Sequence, residues 1–310
     1  MNTYHSHRMF WLVACVISVT VALIVALSGC SAKPIVPTND ATGGGTGDSP
    51  PATTTPALPT EDGSATDAVT PAAPITLKLY FPRGETLGVA TREVPATKAV
   101  ATAAMKELLE GTTAADELYG MHSEIPAKTT LNSVTVKNGV ATVDLSDAYD
   151  DGGGTLSMSM RIAQVVFTLT QFSTVDSVLF EMNGVPVEAL GGEGLIIKDP
   201  QHRSDWESML PAIFVETPVV GATGASPLRV AGTANVFEAV FQAEIRDASG
   251  KVLAKKTITA SSGTGTRGTF DVKIPYTSPR QEMGALVVFE YSAKDGTPIN
   301  TVSIPIKLMP

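Results

Sequence analysis

The sequence predicts an α+β domain in the order β-α-β-β-α-β, two helices on a small sheet, followed by an all-β sandwich of immunoglobulin type. Three observations carry this expectation. Before residue 198, two stretches with helical apolar spacing alternate with short strand-like runs. An Asn138-Gly139 pair sits between two alternating segments, the strongest short hairpin signal. After residue 210, seven apolar segments of strand length succeed one another with turn chemistry between them and no helix.

The N-terminal 29 residues read as a signal peptide. Met1 to Arg8 carry Arg8 and no acid, and Met9 to Ala26 are apolar apart from Ser18 and Thr20. That run approaches the length of a membrane-spanning helix, but the small residues Ser28 and Gly29 before Cys30 resemble the bacterial lipobox. The resemblance implies cleavage between Gly29 and Cys30 and a diacylglycerol thioether on Cys30. A second acyl chain is what makes such an anchor stable. Cys15 would leave with the leader, so no thiol remains for a disulfide, a metal or a nucleophile. Residues 30–74 then form a Pro/Thr/Gly-rich tether, with Gly43-Gly44-Gly45 and Pro50-Pro51 and too few large apolar residues to offset the entropy of ordering.

The first domain is expected over residues 75–198. Ile75 to Phe81 alternates and stops at Pro82 and Gly84, and an extended piece follows near Leu87 to Val94. A helix over about residues 97–109 has Pro95 before it and Gly111 after it, with Val100, Ala104, Leu108, Ala101 and Met105 on one broad stripe. Pairing Lys137 with Val140 across the Asn-Gly turn puts Val134, Val136, Ala141, Val143 and Leu145 on one face. A second helix spans about residues 156–172, with Met158, Ile162, Val165, Val166, Leu169 and Phe172 on its buried side. A strand over 175–182 then turns at Asn183-Gly184.

Several segments here resemble the GerMN domain: Tyr80-Phe81-Pro82, Leu108-Leu109-Glu110-Gly111, Ile125-Pro126, Val140 to Ser146, and Val178 to Val187. That domain is named from sporulation and spore-germination lipoproteins and also occurs in envelope lipoproteins associated with a two-component sensor kinase. Its members resemble ring-building or KH-like modules. The resemblance implies action through protein contacts and supplies no catalytic residue.

Residues 199–210 form a join in which Trp206, Met209 and Leu210 are expected to pack where the domains meet, and residues 211–310 form the sandwich. Its strands are expected at 213–215, 228–234, 237–246, 252–260, 269–276, 285–292 and 299–308, with turns at Asp247 to Gly250 and Lys294 to Gly296. The stretches Ser226 to Ala239, Arg246-Asp247, Arg267 to Phe270 and Phe289 to Gly296 resemble the immunoglobulin-like domain that follows GerMN in spore-germination proteins.

Catalytic chemistry finds little support. Only His122 and His202 follow Cys30, with no HExxH, GxSxG or Cys–His arrangement around them. Asp144, Asp147, Asp150 and Asp151 precede three glycines and suggest calcium, yet their spacing is not that of an EF-hand. Their preferred role is to end a strand and favour the next helix N-terminus. Asn235, Phe237 and Glu238 are the candidate partner-contact residues. The plainer reading gives Asn235 a turn hydrogen bond and pairs Glu238 with Arg267 or Arg229. A net charge of −9 without any Lys/Arg block argues against nucleic acid. The sequence therefore points to a non-enzymatic lipoprotein on the extracytoplasmic face of the cell membrane, with the bilayer and an envelope protein as partners and no cofactor. The alternatives are a peptidoglycan- or glycan-binding module and an accessory lipoprotein of a sensor kinase. Scarce aromatics, two Trp and six Tyr, weigh against sugar stacking.

Overall fold

A computed structural model describes residues 72–192 and 194–310. The expected signal peptide, the Gly29–Cys30 cleavage and lipidation site, and nearly all of the tether lie outside the described residues.

The first domain contains β1 (Ile75–Arg83), β2 (Thr86–Val94), α1 (Val100–Glu110), α2 (Ala114–Leu118), β3 (Leu131–Lys137), β4 (Val140–Leu145) and α3 (Thr155–Leu169). It continues with β5 (Ser177–Met182), β6 (Val185–Pro186), β7 (Ala189–Leu190) and β8 (Leu195–Ile196). The α+β class is as expected, but the element order is richer. The extended piece after β1 is a full strand, paired with it in a hairpin closed at Gly84-Glu85. This hairpin stands apart from the sheet β3-β4-β5-β6. Lys137 pairs with Val140 as the Asn-Gly turn dictates, and β4 runs parallel to β5 through the α3 crossover.

Helix α3 departs most from its expected one-sided burial. Met158 to Leu169 are buried without interruption, because the β1–β2 hairpin, α1 and the second sheet all pack against the helix. Its polar residues are satisfied by backbone. Arg161 donates to the carbonyls of Glu124 (2.7 Å), Tyr149 (2.8 Å) and Gly152 (2.8 Å). Thr168 Oγ1 accepts from the Tyr80 amide (3.3 Å), and Gln171, just past the helix, brackets Lys78 by accepting from its amide and donating to its carbonyl. These side chains stand where a neighbouring strand would stand beside β1.

The second domain is a β-sandwich. Its strands are β9 (Ile213–Thr217), β10 (Thr223–Gly224), β11 (Leu228–Ala234), β12 (Val240–Arg246), β13 (Val252–Thr259), β14 (Gly268–Ile274), β15 (Glu282–Tyr291) and β16 (Pro298–Leu308). They form the sheets β10-β16-β15-β12-β13 and β14-β11-β9. Phe241 and Phe270 meet edge to face across the two sheets at 4.9 Å. The strand expected from residue 237 starts only at Val240, because residues 237–239 form a tight 3-10 turn.

β9 serves both domains. Ile213 and Val215 face the sandwich core, and Phe214 between them points the other way, into the core of the first domain with Trp206 and Leu210. Gly232 of β11 makes this possible, since a Cβ there would lie 2.0 Å from the Phe214 carbonyl oxygen. The join therefore packs at the seam as expected, and it carries the first residues of the sandwich with it.

Candidate functional site

The seam between the domains is built around Tyr80, a β1 residue with 0% exposure. Phe214 lies 6.1 Å from its ring and Phe167 5.6 Å, and the Arg203 guanidinium sits 4.8 Å from the Phe167 ring centroid. Arg203 donates to Glu216 Oε1 (3.0 Å), the Tyr80 hydroxyl (3.1 Å), the Phe167 carbonyl (3.0 Å) and Thr170 Oγ1 (2.7 Å). Tyr80 donates its own proton to Glu216 Oε1 (2.7 Å), and Lys78 reaches Oε2 (3.3 Å). Burial pushes the Glu216 carboxyl up, but the Arg203 and Lys78 charges and the hydrogen bonds outweigh it and hold the group below the usual carboxylate range. Burial likewise raises the Tyr80 phenol. The arrangement holds the domains together and leaves no free nucleophile.

The second place is the turn of the three candidate contact residues. Val236 and Ala239 are buried in the sandwich core, while Phe237 between them is 58% exposed. Glu238 and Ala239 hold φ of 52° and 59°, the left-handed region that costs an L-residue about 1–2 kcal/mol. The surroundings enforce it. The Phe237 amide donates to Oε2 of Glu290, a buried carboxylate whose Oε1 accepts from Asn300. The Glu238 amide donates to Thr264 Oγ1 (3.0 Å) and the Thr264 amide to the Val236 carbonyl (2.9 Å). Gly263 lies so close beneath that a Cβ would sit 2.5 Å from the Val236 carbonyl oxygen.

Asn235 does hold a turn, accepting from the Gly265 amide at 2.9 Å. The expected Glu238 ion pair is absent among the described residues. Arg229 pairs with Asp271 (2.7 Å), and Arg267 lies 3.6 Å from Glu207. Glu238 itself lies in the 3-10 turn at positive φ, outside β11 and β12. Tyr291, next to Glu290 on β15, and Ile299, paired with Glu290 from β16, are 48% and 42% exposed and carry no signal in the sequence.

The remaining candidates disperse. His122 faces Glu124 (3.2 Å), while His202 Nδ1 contacts the Asp176 carbonyl (3.2 Å). No three His, Cys, Asp or Glu residues converge as metal ligands among the described residues. The first turn of α3 carries no acid, whereas Asp147 and Asp150 stand in the first turn of the short 3-10 helix over residues 147–150 that directly follows β4. Asp144 accepts from the Gly184 amide (3.0 Å) and Asp150 from the Gly191 amide (2.7 Å), which makes these two acids loop staples. No helix among the described residues is long and apolar enough to cross a membrane.

Comparison with known proteins gives the following. Residues 78–188 match the family described as Germane: Sporulation and spore germination, and residues 212–297 match Gmad2: Immunoglobulin-like domain of bacterial spore germination. The chain is 29% identical over 116 residues to the spore germination protein GerM of Bacillus subtilis (strain 168). That match covers 37% of this chain and 31% of GerM, so the chain spans about a third of the curated relative it matches. Among solved structures, the first GerMN domain of the sporulation protein GerM from Bacillus subtilis is 26% identical, covering 42% of this chain and 99% of that one with a TM-score of 0.37. The tandem GerMN domains of the same protein give 17% identity, 76% and 61% coverage and a TM-score of 0.38.

Proposed function

We propose that this chain, which joins a Germane (GerMN-like) domain to a Gmad2 immunoglobulin-like domain of the spore-germination type, is a non-enzymatic envelope lipoprotein. It is held at the outer face of the membrane through Cys30 and binds an envelope protein through the Phe237 turn. The observation that carries this reading is the turn itself. Two consecutive L-residues are held at positive φ, and the result is that one large aromatic side chain stands in solvent on a rigid base. A rigid exposed aromatic is the usual anchor of a protein interface, because it brings a large apolar area at little entropy cost. The Leu27-Ser28-Gly29-Cys30 pattern supports the anchoring.

The test places a photoreactive phenylalanine analogue at position 237 of the full-length protein in its native membranes. Adducts with one or two envelope proteins are expected from the anchored form and not from Cys30→Ala. Turnover of a wall substrate by the pure protein would overturn the non-enzymatic reading. Absence of adducts together with retention on purified wall would move the contact to glycan.

A further inference from the structure

We propose that two copies of this chain pair through β3, the free edge of the first domain's sheet, strand against strand about a two-fold axis beside Thr135. The inference goes beyond the partner-binding reading and uses neither Cys30 nor Phe237.

β3 ends the sheet β3-β4-β5-β6 and is exposed at five of its seven positions. The turn fixes which of its backbone groups are free. Asn138 and Gly139 hold φ of 52° and 81°, so Lys137 and Val140 exchange hydrogen bonds across a two-residue turn. By alternation Thr135 and Ser133 also bond to β4, through Thr142 and Asp144, and the amides and carbonyls of Val134 and Val136 point outward. Among the described residues nothing bonds them. Two other edges are closed. On β14 the Thr269 carbonyl accepts from the Ser261 amide (2.9 Å), the Thr269 amide donates to Ser261 Oγ (2.8 Å) and the Lys273 carbonyl accepts from Lys256 Nζ (3.1 Å). On β2, Leu87 and Val89 are only 2% and 3% exposed. A bare edge such as β3 is a template for another strand.

Charge and apolar surface both point to a second copy as that strand. The outer face of the sheet carries the row Ser133, Asp144, Glu181 at one end of β3, and Lys137 stands on the same face at the other. None of the three charged residues is in an ion pair among the described residues. Asp144 Oδ1 is taken by the Gly184 amide (3.0 Å) and Asn132 Nδ2 (3.2 Å), which leaves Oδ2. Antiparallel pairing in the one register that sets each outward valine opposite a valine, Val134 on Val136, places Thr135 opposite Thr135 and Lys137 opposite Ser133. Each Lys137 then extends the other copy's row and reaches Asp144 across the short Ser133, twice per pair. On the inner face Leu131 and Val134 pack against the core that α1 helps to form, while Val136 is left 42% exposed. The antiparallel copy brings its own Leu131 and Val134 end to that valine. An isologous contact of this kind closes at two copies. About seven residues a side are fewer than the roughly 20–30 of a stable interface, so the pair is weak and is read best by trapping it.

The test places single cysteines on β3 of the full-length protein in its native membranes, applies mild oxidation and identifies linked peptides by mass spectrometry. Thr135→Cys should link to itself, since a non-hydrogen-bonded pair brings the two Cα atoms to about 4.5 Å, within disulfide reach. Ser133→Cys alone should not, because its two copies stand about 14 Å apart along the strands. Ser133→Cys and Lys137→Cys produced together should link to each other. Added to Thr135→Cys, Val136→Lys puts a charge on the apolar contact and should abolish linkage at position 135. Lys137→Glu, at an exposed position where no internal contact is lost, reverses the sign at two contacts and should lower that linkage about tenfold. Absence of linkage at position 135, equal linkage of the Ser133→Cys and Thr135→Cys proteins, or linkage unchanged by Lys137→Glu would overturn the proposal. Cys15 and Cys30 do not enter the readout, because only peptides joined through positions 133, 135 or 137 are counted.

Discussion

Glu216→Gln tests how the two domains are joined. The amide nearly matches the carboxylate in shape, so packing is kept while the negative charge that serves Arg203, Lys78 and the Tyr80 hydroxyl is removed. Breaking one partner of a fully buried ion pair costs about 3–5 kcal/mol, and an exposed pair contributes about 0–1 kcal/mol. Here the side chains of Glu216 and Arg203 are 19% and 32% exposed, and Lys78 is 33% exposed. The cost therefore lies between those limits, at about 2 kcal/mol. For a unit of this size, that lowers the thermal midpoint by about 4–8 °C. The sign with pH follows from the depressed Glu216 pKa. Such a group stabilises the fold fully above its unfolded value, about 4.3, and loses that contribution as pH falls through the folded value. Thermal unfolding followed by circular dichroism at pH 7 and pH 3 should show wild type above Glu216→Gln at pH 7 and the gap closing at pH 3. Coincident midpoints at pH 7, or a gap that persists undiminished at pH 3, would refute the reasoning.

Phe214→Ala removes a side chain buried at the seam and should cost about 3–5 kcal/mol; calorimetry should show the loss in the first domain although the residue belongs to β9. Glu238→Gly relieves a positive φ at an exposed position and should raise stability by about 1 kcal/mol in urea denaturation. The same change loosens the base of Phe237, so photoadducts formed at position 237 should fall even as the midpoint rises.

What the sequence revealed and what it concealed divide along physical lines. The Lys137–Val140 register was legible because an Asn-Gly turn fixes it locally and a one-residue slip would turn the face to water. The burial of α3 on all sides was not, because its other faces carry the polar residues Arg161, Gln164 and Thr168. Their partners are carbonyls and amides distant in the chain, which no spacing announces. Glu216 and Arg203 were missed for a similar reason: one lies on β9 and the other in the join, and only the fold brings them to Tyr80. The stretch from Asn235 to Glu238 was conspicuous as polar residues beside a strand. Its meaning rested on a backbone conformation that sequence does not report. Gly263 and Gly268 sit in a glycine-rich stretch, and each is pressed against backbone too closely for any Cβ, which composition does not announce.

The two-faced strand β9 fixes how the domains are joined. A strand of alternating faces can end one core and begin another only if the strand next to it yields space, and Gly232 yields it by letting the Phe214 carbonyl approach. The seam is thereby made of shared core and a charged network, unlike the small polar contacts that let domains swing about a linker.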